Sequence, residues 1–265
     1  MRLVVAGAGG RMGRALIELI LRSSDLELAG AVEVAGNPLI GRDAGELVGE
    51  PRGVRISSQV ADGDCLIDFT RPEATLAHLE QCLGRGMRMV IGTTGFSDAQ
   101  SRRIAEGAKR IAIVQAPNMS AGVNLAFTLA ETAARTLGEA YDVEIIEAHH
   151  RHKVDAPSGT ALKFGAVVAR ALGGDLARDA VHGRHGEVGE RIPGKIGFHA
   201  VRGGDIVGEH TVMFAGDGER VEITVRSASR ATYAGGALRA ARFLADKRSG
   251  LYDMQDVLGL RQRAG

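Results

Sequence analysis

The chain has little that would tie it to nucleic acid, a membrane or a disulfide framework. Its 33 Lys and Arg residues nearly balance 32 Asp and Glu residues, so the net charge is +1. No bulk field therefore attracts nucleic acid or an anionic membrane, although a local basic patch remains open. The two cysteines, Cys65 and Cys82, lack CxxC spacing and are too few for a disulfide framework. We therefore expect a reduced, cytoplasmic location.

Long hydrophobic runs are also missing. The apolar run over residues 3–8 is short and is followed at once by glycines and Arg11, unlike the apolar core of a signal peptide. Residues 111–130 carry no charge, but Gln115, Pro117 and other polar residues interrupt them. We therefore expect neither a targeting segment nor a membrane span.

Glycine is what the chain has in excess. It accounts for 37 of 265 residues, whereas the aromatic residues are seven Phe, three Tyr and no Trp. This glycine content is about twice the usual share. Hydrophobic residues make up 45% of the chain, which is enough for a sizeable core and excludes wholesale disorder. The length predicts one or two domains, and the glycine excess indicates that bare backbone is needed somewhere.

Residues 1–120 alternate between short branched runs and helical patterns. The predicted strands are 3–6, 26–32, 65–69, 88–91 and 111–114. The predicted helices are 12–22, 72–83 and 97–109, the last with a Ser97–Gln100 capping box. This alternation predicts a Rossmann-type, doubly wound parallel sheet that is buried on both faces.

The pattern changes after residue 120. Helices are predicted near 122–137 and 158–172, with alternating strands at 142–147 and 220–226. Ten glycines lie in the segment 183–218, which suggests long strands joined by turns. We therefore predict a second α+β domain with a mixed sheet over 121–229, for substrate binding and oligomerisation. The tail, 230–265, is expected to return to the first domain. The predicted fold class of the whole chain is α/β.

The first predicted strand runs directly into a glycine loop. Gly7, Gly10 and Gly13 form GxxGxxG, a variant of the usual dinucleotide fingerprint. Such glycines allow a tight turn and a close approach of pyrophosphate to backbone N–H groups at a helix N-terminus. Glu33 follows Gly13 by 20 residues, where a carboxylate would bind the adenosine ribose hydroxyls.

A lone glycine motif is also compatible with an ordinary strand-to-helix turn, but further clusters follow the later strands. They are Thr70–Arg71, Gly92–Gly95 and Ala116–Ser120. In an open parallel sheet, ligands bind outside the carboxyl ends of the strands. These loops are therefore predicted to share one crevice with the glycine loop.

A cationic loop follows the strand that begins at Asp142. His149–Lys153 are five consecutive residues that can carry positive charge, and Ser158 is a candidate N-cap for the next helix. Cations beside free helix N–H groups favour a carboxylate ligand, and His149 or Lys153 could deliver a proton. A solvated loop remains the plain alternative. A metal site is disfavoured, because the cluster has neither cysteine nor HExxH spacing.

Six segments of the chain together form a recognisable pattern. They are GAGGRMGR at 7–14, DFTRPE at 68–73, VIGTTGF at 90–96, EIIEAHHRHKVDAPSGTA at 144–161, GDIVGEHTVMF at 204–214 and GLYDMQDVLGL at 250–260. With these segments the chain resembles the 4-hydroxy-tetrahydrodipicolinate reductase family of bacterial lysine and diaminopimelate biosynthesis. The resemblance extends over nearly the whole length, and its histidine-bearing segment is highly specific.

The resemblance implies an NAD(P)H-dependent oxidoreductase that assembles as a homotetramer and passes hydride to a cyclic, unsaturated dicarboxylate. The implied catalytic residues are His149 and Lys153. The implied substrate-binding residues are His150, Gly159 and Thr160. The implied cofactor-binding residues are Gly7, Ala8, Gly9, Gly10, Arg11, Met12, Glu33, Gly92, Thr93, Thr94, Ala116, Pro117, Asn118 and Met119.

Two departures from the family pattern concern the cofactor. Members that use NADPH well commonly place an arginine directly after the acidic residue, whereas Val34 follows Glu33 here. Without that guanidinium, a 2′-phosphate would meet Glu33 with less compensation, although Arg11 is a candidate substitute. We therefore predict NADH to be at least as good a cofactor as NADPH. Pro117 removes one N–H from a proposed cofactor contact.

Two rival functions stay open from the sequence. Another two-domain dehydrogenase, acting on an amino acid or a sugar, would share the glycine loop but has no need for dense cations. A nucleotide-binding redox sensor would bind the cofactor without turnover. A substrate panel that contains the cyclic dicarboxylate distinguishes all three functions.

Overall fold

Strands form where branched residues cluster, and helices form where apolar residues recur at helical spacing. A computed structural model describes residues 1–261 of the chain. In chain order its strands are β1 (Arg2–Ala6), β2 (Glu27–Val32), β3 (Ile56–Ser57), β4 (Cys65–Asp68), β5 (Arg88–Ile91), β6 (Ala112–Gln115), β7 (Asp142–His149), β8 (Ala180–His182), β9 (Ile196–Arg202), β10 (Gly208–Ala215), β11 (Arg220–Ser227) and β12 (Gly250–Tyr252). Its α-helices are α1 (Arg11–Leu21), α2 (Pro72–Arg85), α3 (Asp98–Ala108), α4 (Ala121–Leu137), α5 (Gly159–Ala171), α6 (Leu176–Asp179), α7 (Ala231–Leu244) and α8 (Met254–Leu258).

The chain divides into two units. Unit 1 consists of Met1–Ala121 and Arg230–Gly265, and unit 2 consists of Gly122–Ser229. The last four residues, which the sequence places in the first domain, lie outside the described part of the chain.

The sheet of unit 1 is fully parallel and has the strand order β12-β6-β5-β4-β1-β2-β3. This architecture confirms the predicted doubly wound sheet. The tail contributes its edge strand, because β12 pairs with β6 from Gly250 to Tyr252. The carboxyl ends of β1, β4 and β5 are neighbours in this order, so the loops that follow them lie along one edge of the sheet.

Both faces of this sheet are buried. Along β1, Leu3 and Val5 pack on one face with apolar residues of α1 and α7. Val4 and Ala6 pack on the opposite face with apolar residues of α2 and α3. Successive strand residues point to opposite faces, so a strand with helices on both sides must be apolar throughout.

The sheet of unit 2 is mixed, as predicted, with the order β11-β10-β7-β9-β8. Strand β10 is antiparallel to β11 and β7, whereas β7, β9 and β8 are parallel. Val143 and Ile145 of β7 face a core that includes Phe127 of α4 and Phe164 of α5. We call this the helix-covered face. Intervening residues such as Glu144 point to the opposite face of the sheet.

Strand β7 continues for two residues beyond the predicted 142–147. His149 therefore lies on the strand rather than in the loop that follows. It pairs in register with Arg202 of β9. The prediction was short because His149 and its neighbours are polar, which is typical of a loop. Pairing with β10 as far as Ala148 and with β9 as far as His149 extends β7 despite that composition.

Candidate functional site

The glycine loop connects β1 to α1 in unit 1. Gly7 has φ of 69°, a left-handed conformation that side chains rarely adopt. A Cβ on Gly13 would lie 2.2 Å from the carbonyl oxygen of Gly7, so the helix can approach the strand this closely only with glycine there. Within residues 1–261, no side chain caps the start of α1 at Gly10. This arrangement is a backbone cradle at a helix N-terminus, which favours a phosphate group.

Glu33 lies directly against this cradle. Its Oε1 accepts the backbone N–H of Gly9 at 2.7 Å, and its Oε2 accepts the side-chain amide of Asn37 at 3.1 Å. The structure therefore brings two of the predicted cofactor elements together. Val34, the residue that departs from the family pattern, is 73% exposed and lies beside them.

The loops after β4 and β5 are joined by a buried carboxylate, that of Asp68. The groups within hydrogen-bond distance of Asp68 are the N–H and hydroxyl of Thr70, the hydroxyls of Thr75 and Thr93, and Nδ1 of His78. Thr93, a predicted cofactor residue, is therefore fixed through its hydroxyl. Thr94 beside it is exposed.

The predicted nicotinamide-side segments occupy the same edge of unit 1. A Cβ on Gly92 would overlap the ring of Phe69, so this position also requires glycine. The side chains of Ala116 and Met119 are buried in the core, and Pro117 is exposed. Within the segment 116–119, only the side chains of Pro117 and Asn118 are therefore accessible to a ligand. Ala116 and Met119 can contact a ligand only through their backbone.

These features fit a dinucleotide cofactor. Gly13 leaves no room for a Cβ where α1 packs against β1, as the dinucleotide fingerprint requires of its third glycine, and Glu33 stands beside the loop as a carboxylate for ribose hydroxyls. Ala8 and Gly13 are buried and Met12 packs on the core, so the loop is held rigidly beneath the ligand position.

A second constellation lies on the helix-covered face of unit 2, where β7 ends. Its centre is Glu147, which is 1% exposed. Oε2 of Glu147 lies 2.6 Å from Nδ1 of His149, and the N–H of Ser158 donates to Oε1 at 3.1 Å. The two terminal nitrogens of Arg202 donate one bond to each carboxylate oxygen, at 2.7 and 2.8 Å.

His210 of β10 closes this group. Its Nε2 lies 2.9 Å from the hydroxyl of Ser158, which also caps α5 by accepting the N–H of Ala161. The rings of His149 and His210 meet edge to face, with centroids 5.1 Å apart. We call Glu147, His149, Ser158, Arg202 and His210 the Glu147 cluster.

Burial dominates the titration of these groups. It lowers the pKa of His210 to about 4, with a further contribution from the charge of His149. It also lowers the pKa of His149, and the opposing attraction of Glu147 does not fully offset this. Burial would raise the pKa of Glu147, but the hydrogen bonds from Arg202 and His149 outweigh it and lower the pKa. The cluster therefore holds an ionised carboxylate beside two neutral imidazoles at neutral pH.

The remaining predicted residues of the cationic loop have separate environments. Lys153 donates to Asp155 at 2.8 Å, which offsets its charge. Nδ1 of His150 is buried and has no hydrogen-bond partner within the described residues. A buried polar atom of this kind is stabilised by a polar ligand that hydrogen-bonds to it. Gly159 and Thr160 form the first turn of α5, directly after the Ser158 cap. Two of the three substrate residues predicted from sequence, Gly159 and Thr160, thus lie at the N-terminus of α5.

The sequence reading missed Asp68, Glu147, Arg202 and His210 as members of the sites. Glu147 carried a usable signal, because it stands two residues before His149 and therefore shares its face of the strand. Arg202 and His210 lie 55 and 52 positions from their partners, and nothing local distinguishes them.

No group of three or more His, Cys, Asp and Glu side chains within residues 1–261 is arranged to hold a metal ion. None of the helices in that range is both long enough and apolar enough to cross a bilayer.

Family models match both halves of the chain. A model described as dihydrodipicolinate reductase, N-terminus, matches residues 1–119, and one described as dihydrodipicolinate reductase, C-terminus, matches residues 122–258.

Similar proteins extend over the same length. The chain is 60% identical to the 4-hydroxy-tetrahydrodipicolinate reductase of Nitrosospira multiformis, over 99% of each chain. It is 61% identical to the enzyme of that name from Cupriavidus necator, over 98% of this chain and 100% of that one. A solved structure, dipicolinate-bound dihydrodipicolinate reductase from Paenisporosarcina sp. TG-14, is 25% identical with a TM-score of 0.76, over 97% of this chain and 99% of that chain.

Proposed function

The chain belongs to the dihydrodipicolinate reductase family, and we propose on that premise that it reduces 4-hydroxy-tetrahydrodipicolinate to tetrahydrodipicolinate in lysine and diaminopimelate biosynthesis. The observation that carries this proposal is the match of both halves of the chain to that one family, with relatives about 60% identical over their full length. In this reaction the substrate gains a hydride and a proton and loses its hydroxyl group as water. Both of its carboxylates are retained.

Unit 1 holds the nicotinamide cofactor, which supplies the hydride when bound. Gly7–Met12 and the start of α1 bind the pyrophosphate, and Glu33 binds the adenosine ribose. Gly92–Thr94 and the backbone of Ala116–Met119 line the nicotinamide side. The absence of room for a Cβ at Gly13 and the contact between Glu33 and Gly9 support this assignment.

Unit 2 binds the substrate. His150, Gly159 and Thr160 receive carboxylate groups at the N-terminus of α5, where the helix dipole favours negative charge. The buried, unpartnered Nδ1 of His150 supports this role. Lys153 donates the proton, and His149 donates or accepts one at Nε2, because its Nδ1 is engaged by Glu147.

The cofactor preference follows from Glu33 and its neighbours. The Glu33 carboxylate is already held by the N–H of Gly9 and the amide of Asn37, and no arginine follows it. A 2′-phosphate next to it would bring two anions together, so NADH is at least as good a cofactor as NADPH. A large preference for NADPH in kcat/KM would contradict this.

A coupled assay tests the function. Freshly generated 4-hydroxy-tetrahydrodipicolinate is supplied, and the oxidation of NADH and of NADPH is followed separately by absorbance. We expect turnover with the cyclic dicarboxylate and none with amino-acid or sugar substrates. Cofactor binding without turnover of any substrate would instead support a redox sensor.

The homotetramer and the cytoplasmic location stay predictions from the family resemblance and the cysteine usage. Light scattering after size-exclusion chromatography measures the assembly directly. A protomer mass at micromolar concentration would refute the tetramer.

A further inference from the structure

The Glu147 cluster surrounds one carboxylate with donors from three parts of unit 2. The donors are Nδ1 of His149, the backbone N–H of Ser158 and the two terminal nitrogens of Arg202. Four hydrogen bonds fill both oxygens of Glu147, so its side chain has one orientation. A carboxylate that is held in this way can hold another side chain in turn.

We propose that Glu147 and Arg202 are positioning residues that fix His149 as its Nδ1–H tautomer, so that Nε2 is the nitrogen presented to the substrate. The proposal rests on the proposed function, because that function assigns His149 its role in proton transfer. Neither Glu147 nor Arg202 needs to touch the substrate for this purpose.

The tautomer follows from the chemistry of the contact. An ionised carboxylate can only accept hydrogen bonds, so the 2.6 Å contact requires a hydrogen on Nδ1 of His149. In a neutral imidazole the other nitrogen, Nε2, then carries a lone pair. Neutral His149 is therefore ready to accept a proton at Nε2, and it donates one from that atom only after protonation.

The sheet register brings the three side chains together. Glu147 and His149 are two residues apart on β7, and Arg202 of β9 pairs with His149. All three belong to the helix-covered face, which also carries Val143 and Phe198. Although Arg202 pairs with His149 in the sheet, its side chain extends to Glu147. Its guanidinium also donates to the carbonyl of Asp155, in the loop between β7 and α5.

The charges around His149 come from its own strand and from each element packed against it. Glu147 lies on β7, Lys153 in the following loop, Arg202 on β9 and His210 on β10. Burial opposes the imidazolium form most strongly and the Glu147 charge favours it, whereas the charges of Lys153 and Arg202 oppose it. Arg202 thus adds to burial and Lys153 in lowering the pKa of the imidazole that the Glu147 carboxylate orients.

This division of roles gives two variants with opposite electrostatic effects. Glu147→Gln removes the anion and leaves the Arg202 cation, so the pKa of His149 should fall. Arg202→Met removes the cation and leaves the anion, so the pKa of His149 should rise by about one unit, a tenfold change in its proton affinity. The double variant should fall between the two. A merely structural role for these residues would not produce displacements of opposite sign.

The experiment uses the full chain labelled with 15N-histidine. NMR chemical shifts report the tautomer and the pKa of His149, whose signal is assigned by its loss in His149→Asn. The pH profile of kcat/KM is measured for the same proteins. Arg226→Met is the matched control, because it removes an equal charge from an exposed pair with Glu209 on the opposite face. Its effect on the pKa of His149 should be within about 0.2 units.

The expected result is an Nδ1–H tautomer in the unmodified protein, opposite pKa displacements, and at least a tenfold loss of kcat/KM in Glu147→Gln. An Nε2–H tautomer, or displacements of the same sign in both variants, would overturn the proposal. If Arg202→Met fails to fold, the proposal is still tested by the pKa of His149 in Arg202→Lys and by the tautomer of His149 in the unmodified protein. Arg202→Lys keeps the charge and should leave the pKa of His149 below that of a free histidine.

The NMR readings do not depend on turnover. An Nδ1–H tautomer in a protein that oxidises no cofactor with the dicarboxylate would refute the proposed function and leave the positioning geometry intact. An active enzyme with the other tautomer would refute the positioning proposal alone.

Discussion

Strand β7 carries two carboxylates, Glu144 and Glu147, that point to opposite faces of the unit 2 sheet and have similar partners. Each accepts two bonds from one arginine, and each has a histidine nitrogen within 2.7 Å. We call Glu144, Arg184, Arg191 and His199 the Glu144 cluster. Both clusters combine a glutamate with arginine and histidine, yet we assign a part in substrate chemistry only to the Glu147 cluster.

Their surroundings differ in two ways. In the Glu147 cluster, the histidine is buried and the carboxylate also accepts the N–H of Ser158 at the start of α5. In the Glu144 cluster, the side chain of His199 is 37% exposed, and both arginines come from the segment between β8 and β9. The same combination of arginine, carboxylate and histidine can therefore serve two purposes: it can hold a loop in place, or it can orient a histidine for proton transfer. We assign the second purpose to the cluster whose histidine is buried and whose carboxylate contacts a helix N-terminus.

The largest expected effect is a loss of kcat on the Glu147 side of the sheet. Lys153→Ala removes the proposed proton donor beside the Glu147 cluster and should lower kcat by about 100- to 10,000-fold. Its stability should change by no more than about 0.5 kcal/mol, because the Lys153–Asp155 pair is partly exposed. Steady-state kinetics and urea unfolding measure the two effects. Lys109→Ala, which loses a more exposed pair with Glu106, is the control. Near-normal turnover in Lys153→Ala would remove the lysine from the mechanism.

The next effect concerns stability on the Glu144 side. Burial opposes ionisation of Glu144, but bonds from Arg184, His199 and Arg191 lower its pKa from 4.5 to about 2. Its folded pKa is depressed, so the stabilisation is present above pH 4.5 and is lost as the pH falls toward 2. Glu144→Gln should therefore reduce the free energy of unfolding at pH 7 by about 3 kcal/mol, and by less at pH 3.

Urea unfolding at the two pH values measures this difference. Glu222→Gln, which removes an exposed pair with Arg220, is the control and should cost less than about 1 kcal/mol. The folded fraction of Glu144→Gln should keep its kcat within about twofold. A loss of kcat as large as that of Lys153→Ala would show that the two clusters do not differ in function.

A smaller loss of stability is expected from Gly197→Ala. A Cβ at this position would lie 1.7 Å from Oε2 of Glu144, so the carboxylate must move away from its partners. Overpacking of this kind costs about 1–3 kcal/mol. Gly203→Ala is the matched control, since its Cβ would meet nothing within 4 Å. Thermal unfolding of both variants measures the effect, and equal melting temperatures would mean that the Glu144 cluster tolerates displacement.

The smallest expected effect is on substrate affinity. Thr160→Val removes the hydroxyl proposed to bind a substrate carboxylate and should raise KM by about tenfold, with kcat changed by less than about twofold. Thr211→Val is the control, because its hydroxyl bonds to Thr224 on the opposite face. Equal KM values in the two variants would remove Thr160 from the substrate site.

Much of the fold could be predicted from local sequence. The Ser97–Gln100 capping box forms as predicted, and the helices differ from their predicted bounds by one or two residues at most ends. Long-range pairing could not be predicted in the same way. The segment 183–218 was predicted to form long strands joined by turns, and it contains β9 and all of β10. The partners of these strands, and therefore the position of Gly197 opposite Glu144, were not predicted.

The sequence by itself determined the glycine cradle, because the demand for a position without Cβ is local and appears as GxxGxxG beside a strand. It also determined that His149 and Lys153 lie near a helix start. Only the tertiary structure decided that Arg202 and His210 join Glu147, and that Glu144 has its own arginines on the other face. Side chains 40 to 55 positions apart meet through the register of strands and the folding of loops, and no local pattern encodes that distance.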